Sequence, residues 1–176
     1  LIIANQGISD LTGIEDFNSL MFLSCSNNQL NYLDLSSNNS LIELWCNNNQ
    51  LTTLDVGNNY NLSVLDCDNN QLTSLDVSGN YSLSALDCDN NQITTLNVDN
   101  NINLLLLDCC YNQLTTLDVS NNILLDELFC NNNQLTDLDI GSNSNLFYIF
   151  CDNNNLTNID LNSALSLTGL DCSNNQ

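Results

Sequence analysis

Cysteine stands at positions 25, 46, 67, 88, 109, 130, 151 and 172, a spacing of 21 residues with no insertion anywhere between the first and the last. A period this regular leaves few folds open, because each unit must have the same length and stack on its neighbour in the same way. One unit reads Leu62-Ser-Val-Leu65-Asp-Cys67-Asp-Asn-Asn70-Gln followed by Leu72-Thr-Ser-Leu75-Asp-Val77-Ser-Gly-Asn80-Tyr-Ser. Both halves have the grammar L-x-x-L-x-(C/V)-x-x-N. One period therefore predicts one coil of a solenoid, with two short extended segments on opposite sides and little or no α-helix.

Leu62, Leu65, Leu72, Leu75 and Val77 have apolar counterparts in nearly every unit, so they are expected to face inward. One coil has no core of its own, whereas stacked coils share a continuous one. The stretches Leu-Asp-Cys and Leu-Asp-Val alternate in, out and in, which is strand periodicity. Identical segments in register predict narrow parallel sheets with about 4.8 Å between coils.

Two asparagine columns fit the same geometry. Asn28, Asn49, Asn70, Asn91, Asn112, Asn133, Asn154 and Asn175 lie three residues after a cysteine, and Asn38, Asn59, Asn80, Asn101, Asn122 and Asn143 follow the second segment, with Ala164 breaking the column. At a bend, a side-chain amide satisfies backbone groups that the bend removes from the ladder, and stacked amides are expected to bond one another along the column.

The unit resembles the leucine-rich repeat family, specifically its 21-residue nested bacterial (IRREKO-type) class, L-x-x-L-x-(L/C)-x-x-N-x-L-x-x-L-D-(L/V)-x-x-N-x-x. The resemblance covers residues 20–176, read as seven full coils and a truncated eighth. Residues 1–19 look like the longer, atypical unit that precedes such arrays in surface proteins of Bacteroidetes-like bacteria. It implies a non-enzymatic protein at the cell surface or secreted, and carries over no catalytic residue. The sequence begins inside a strand-like run and stops at Asn-Asn-Gln, so it reads as a segment of a longer array. No apolar run approaches the roughly 18 residues of a membrane span.

The 176 residues include 21 acidic ones and no Lys, Arg or His, for a net charge of −21. A phosphate backbone finds no cationic partner, which argues against nucleic acid, and anionic lipid would repel the chain. There is no Ser/His or Cys/His pair, no Schiff-base lysine and no arginine clamp. Paired carboxylates remain as an acid/base device, but they must face each other across a cleft, and the acids here are expected in outward columns.

Asp34, Asp55, Asp76, Asp118, Asp139 and Asp160 form one such column in the second half-coil, with Asn97 as the lone substitute. Carboxylates about 5 Å apart repel by roughly 0.8 kcal/mol in water and about 3 kcal/mol at an intermediate dielectric. Either hydrogen bonds to the local backbone or a hard divalent cation such as Ca²⁺ would relieve this row; no other cofactor is indicated. A second column precedes the cysteines and varies: Ser24, Trp45, Asp66, Asp87, Asp108, Phe129, Phe150 and Asp171. Variable side chains on a fixed scaffold mark a recognition face, with Trp45, Phe129, Phe150, Phe147 and Tyr148 as aromatic anchors.

Exposed threonines are expected at 52, 73, 94, 115, 136 and 157, a column that serves either as a sheet-stabilising ladder or as an ice-binding array. The cysteines read as small inward side chains with free thiols, since parallel Cβ vectors do not favour a disulfide. Cys110 is the exception, expected outward and reactive. Without His or a C-x-x-C spacing, zinc is not indicated. Of the four N-x-S/T sequons, Asn61 and Asn155 lie outside the asparagine columns and are the sterically open acceptors. Three functional readings stand: adhesion through protein or glycan binding, a fibre built by head-to-tail self-association, and an ice- or Ca²⁺-binding surface.

Overall fold

The computed structural model describes all 176 residues. Eight strands, β1 (Phe22–Ser24), β2 (Glu43–Trp45), β3 (Val64–Asp66), β4 (Ala85–Asp87), β5 (Leu106–Asp108), β6 (Glu127–Phe129), β7 (Tyr148–Phe150) and β8 (Gly169–Asp171), form one parallel sheet in sequence order. Each pairs with the next at a shift of one period, as in Leu65 beside Leu86 and Asp66 beside Asp87. The central residue of β1 to β7 is buried and its two neighbours face out. The cysteine that follows each of β1 to β7 turns inward again, and a single cluster of 41 buried residues runs through the coils. The chain is thus a parallel solenoid, and its one helical element is the 3-10 turn Ile14–Asp16. No helix is long and apolar enough to cross a membrane.

Each coil bends just after its cysteine through a left-handed residue: Asn27, Asn48, Asn69, Asn90, Asn132, Asn153 and Asn174, at φ between 48° and 56°. Asparagine adopts this conformation at little cost, which explains its place. Tyr111 occupies the same bend at φ 49° without that advantage.

The first asparagine column fastens coil to coil. Asn91 Nδ2 donates to the carbonyls of Cys67 in the preceding coil (3.1 Å) and Cys88 in its own (3.1 Å), while Asn91 Oδ1 accepts the amide of Leu72 (3.0 Å). The second column works differently. Asn101 Nδ2 donates to Val77 O (3.0 Å) and Asn80 O (2.9 Å), but Asn101 Oδ1 is buried and accepts nothing, as are the corresponding oxygens of Asn38, Asn59, Asn80, Asn122 and Asn143. The expected amide-to-amide stacking therefore does not form. The amides bond backbone carbonyls of the coil before.

Strands form on one side of each coil only. In the second half-coil, Leu75 and Val77 are buried around an exposed Asp76, so the alternation is present, but no ladder joins these segments. Asp76 Oδ1 accepts the amide of Ser78 (2.9 Å), closing an Asx turn at the end of this segment. Neighbouring coils are joined there by side-chain amides instead, such as Asn80 Nδ2 to Asn59 O (2.9 Å).

The first residues stack as a further coil. Ile3 N donates to Ser24 O (2.8 Å), Ser24 N to Leu1 O (2.9 Å) and Gln29 N to Ile8 O (2.8 Å), and Asn5 repeats the left-handed bend at φ 59°.

Candidate interaction face

A strand places residues two apart on the same face, so the outward side of the sheet shows the first and third residue of each strand and the residue after each cysteine. The third-residue column is Ser24, Trp45, Asp66, Asp87, Asp108, Phe129, Phe150 and Asp171, held in register by strand pairing. Beside it runs the column containing Asp68, Asp89, Cys110 and Asn131. Of these only Cys110 is singled out from the sequence; Asp68, Asp89 and Asn131 are not, although extending the alternation two residues past Asp66 reaches Asp68.

The middle of this face is acidic. Ligand oxygens of Asp66, Asp68 and Asp87 lie within 4.8 Å of one another, the only trio of His, Cys, Asp or Glu side chains brought so close. Partial burial, reinforced by neighbouring carboxylates, pushes Asp66 up to about 6, Asp87 to about 7 and Asp89 to about 6. Burial also raises Asp108, against the opposing effect of the Cys110 amide that donates to it at 3.1 Å. Asp89 Oδ2 accepts from Asn90 Nδ2 (2.8 Å), whereas its Oδ1 is shielded from solvent and accepts no hydrogen bond.

Aromatic rings border the acidic centre on both sides. Phe22 and Trp45 meet edge to face with centroids 4.5 Å apart. On the other side Phe129 and Phe150 lie 5.3 Å apart, Tyr148 is 6.4 Å from Phe150, and Phe147 meets Tyr148 edge-on at 4.9 Å. Phe147, Tyr148 and Phe150 are exposed. Gly169 makes room for this group, because a Cβ there would run into the Tyr148 ring. Between the aromatic borders Val64, Ala85 and Leu106 give a low-relief apolar floor beside the carboxylates.

The second-half acidic column is placed otherwise. Asp34, Asp55, Asp76, Asp118, Asp139 and Asp160 each accept the amide two residues on, at 2.8 to 2.9 Å. Hydrogen bonds from Ser36 and Ser78, side chain before backbone, hold Asp34 and Asp76 below the usual carboxylate range; the Ser120 backbone amide leads for Asp118. These carboxylates are engaged with their own turns, and no three of them converge. The threonines of this half-coil are exposed and line only open depressions, one of about 310 Å³ around Thr115, Thr136 and Asp118.

All nine cysteines are free thiols. Burial pushes Cys25 and Cys151 up to about 12 and holds Cys46, Cys67, Cys88, Cys109 and Cys130 far above the usual thiol range, so these seven thiols are poor nucleophiles, while Cys172 in the last coil is exposed. Cys110, expected to be exposed, is buried: its Sγ sits 2.6 Å from Asn131 Oδ1 in the next coil, and burial raises its thiol as well. The outward direction was right, but the neighbouring coil covers the position. Asn61 is exposed and Asn155 half-buried, whereas the sequon residues Asn38 and Asn80 are fully buried.

A parallel solenoid of 21-residue coils with one short strand each, asparagine-fastened turns and a buried cysteine column defines the class. No family model matches the sequence, and no curated protein does. Solved structures do match. The functional domain of InlJ from Listeria monocytogenes, described as including a cysteine ladder, is 41% identical with a TM-score of 0.78, over 97% of this chain and 43% of that one. Internalin C2 of the same species is 26% identical with a TM-score of 0.88, over 94% of this chain and 78% of that one. The leucine-rich-repeat ectodomain of the plant receptor kinase GASSHO1/SCHENGEN3 from Arabidopsis thaliana, in complex with Casparian strip integrity factor 2, is 26% identical with a TM-score of 0.87, over 95% of this chain and 23% of that one. The chain belongs to the leucine-rich repeat family and is a scaffold related to the internalins. It spans less than half the length of the InlJ domain it matches.

Proposed function

We propose that the chain is a non-enzymatic binding module, secreted or held at the cell surface, that grips a protein partner with the outward face of its single sheet. The observation that carries this reading is the contrast between scaffold and face. Inward positions repeat almost without change, while the outward third-residue column changes from Trp45 through three aspartates to Phe129 and Phe150. Packing does not require this variety, since the strand pairing is the same throughout. Exposed aromatics grouped within 7 Å of one another supply the rigid apolar anchors on which interfaces depend. The complex formed by the GASSHO1 ectodomain supports a protein as the class of ligand.

The test is capture of extracellular proteins on the immobilised chain, followed by identification and titration of the captured partner against variants. Phe129→Ala with Phe150→Ala is expected to weaken binding at least tenfold, in line with about 2 kcal/mol for a buried aromatic anchor. Loss of binding on changing Thr115 and Thr136 to Ala, with the aromatic variant unaffected, would move the site to the other half-coil.

A further inference from the structure

We propose that the occupant of the sheet face is an extended polypeptide segment with Lys or Arg side chains between apolar ends, laid across β2 to β6 so that its cations meet Asp66, Asp87, Asp89 and Asp108. The proposal rests on the reading of this face as a protein-binding surface and specifies its partner.

Charge is the first argument. The sequence has 21 acidic residues and no basic side chain, so the chain holds no side-chain cation for these carboxylates. They are nevertheless half-buried and crowded on a sheet that could present neutral groups at the same positions, as it does with Ser24. Like charges at this separation repel in the free chain, and a partner's cations turn that repulsion into attraction.

Dimension is the second. The Phe22–Trp45 pair ends the acidic stretch at β2 and the Phe129–Phe150 pair ends it at β6. Four strand steps of about 4.8 Å make roughly 19 Å, which about six residues of extended chain span. Side chains at the ends of such a segment reach the rings, and those in the middle reach the carboxylates. The floor of Val64, Ala85 and Leu106 lets an extended backbone lie close. Arginine suits both zones, because its guanidinium pairs with carboxylates and stacks on aromatic faces.

The experiment uses a positional-scanning library of capped hexapeptides on the intact chain, followed by titration of selected peptides. Trp45, the single tryptophan, serves as fluorescence reporter. Enrichment of Arg or Lys at central positions and of aromatic or leucine residues at the ends is expected. Replacing Arg by citrulline in a selected peptide is expected to weaken it about tenfold or more, and Asp66→Asn with Asp87→Asn is expected to erase the difference while retaining cooperative unfolding. Equal binding of Arg and citrulline peptides, both lost on Phe129→Ala, would overturn the cationic partner and leave the sheet face as the site. Selected peptides indifferent to both sets of variants would overturn the two readings together. No basic enrichment, with Ca²⁺ alone stabilising the wild type but not the double Asn variant, would assign the carboxylates to a metal ion instead.

Discussion

Asn91 and Asn101 are the same residue type, both buried, and both donate to carbonyls of the preceding coil, yet they should not be equally costly to remove. In Asn91→Ala the two Nδ2 protons, shared among Cys67 O, Cys88 O and Asp89 O, no longer bond these carbonyls, and the buried Leu72 amide loses its only acceptor, Asn91 Oδ1. At about 1 kcal/mol net per bond and about 2 kcal/mol for a stranded buried N–H, the loss comes to roughly 4 kcal/mol. Asn101→Ala also deletes two Nδ2 bonds, to Val77 O and Asn80 O, but no amide depends on Asn101 Oδ1, which is already unpartnered. Removing that orphaned oxygen returns about 1 kcal/mol, so the net loss is roughly 1 kcal/mol. The truncated volume is the same in both, and the cavity cost largely cancels in the difference. Urea unfolding followed by circular dichroism, with unchanged denaturant slopes, should therefore place Asn91→Ala about 2 to 3 kcal/mol below Asn101→Ala. Equal losses would refute this reasoning and show that the second-column oxygens have a partner, such as a buried water.

Tyr111 sits at φ 49° where the equivalent residue elsewhere is Asn, so Tyr111→Asn should stabilise the chain by about 1 kcal/mol, read as a raised Tm. The raised carboxyls of Asp66, Asp87 and Asp89 bind protons more readily in the folded than in the unfolded chain. Their contribution to stability is full below about pH 4 and is lost as pH rises through 6 to 7. Asp87→Asn should accordingly raise Tm at pH 8 and leave it nearly unchanged at pH 4, as thermal melts at the two pH values would show. Alkylation of the native chain at neutral pH followed by mass spectrometry should modify exposed Cys172 first and spare Cys110, whereas early modification of Cys110 would contradict its burial against Asn131. Gly169→Val should force the Tyr148 ring off its place and weaken partner binding with little loss of fold, seen by comparing titration with thermal melts.

The coil length, the inward cysteines and leucines and the positions of both asparagine columns are legible in the sequence because each is a consequence of stacking identical units. What the period does not reveal is which extended segment is paired. Leu65-Asp66-Cys67 and Leu75-Asp76-Val77 alternate alike, and aspartates of both columns accept the amide two residues on, Asp76 from Ser78 and Asp171 from Ser173 at 2.9 Å each, yet only the first segment is paired into a ladder, while the second is joined to its neighbours by asparagine side chains such as Asn80 Nδ2 to Asn59 O. The two acidic columns likewise look equivalent in sequence. Burial separates them: the second-half column is solvated and held by its turns, while the column before the cysteines is crowded between Trp45 and Phe129. Cys110 shows the same limit, since alternation gives the direction of a side chain but not what the next coil lays over it.

The central claim is that partners bind the sheet face and not the opposite half-coil. The most direct test is photo-crosslinking with p-benzoylphenylalanine placed either at Leu106, in the middle of the sheet face, or at Thr95, exposed on the second half-coil. The captured partner should form an adduct with the probe at 106 and none with the probe at 95; adducts from 95 alone would contradict the account.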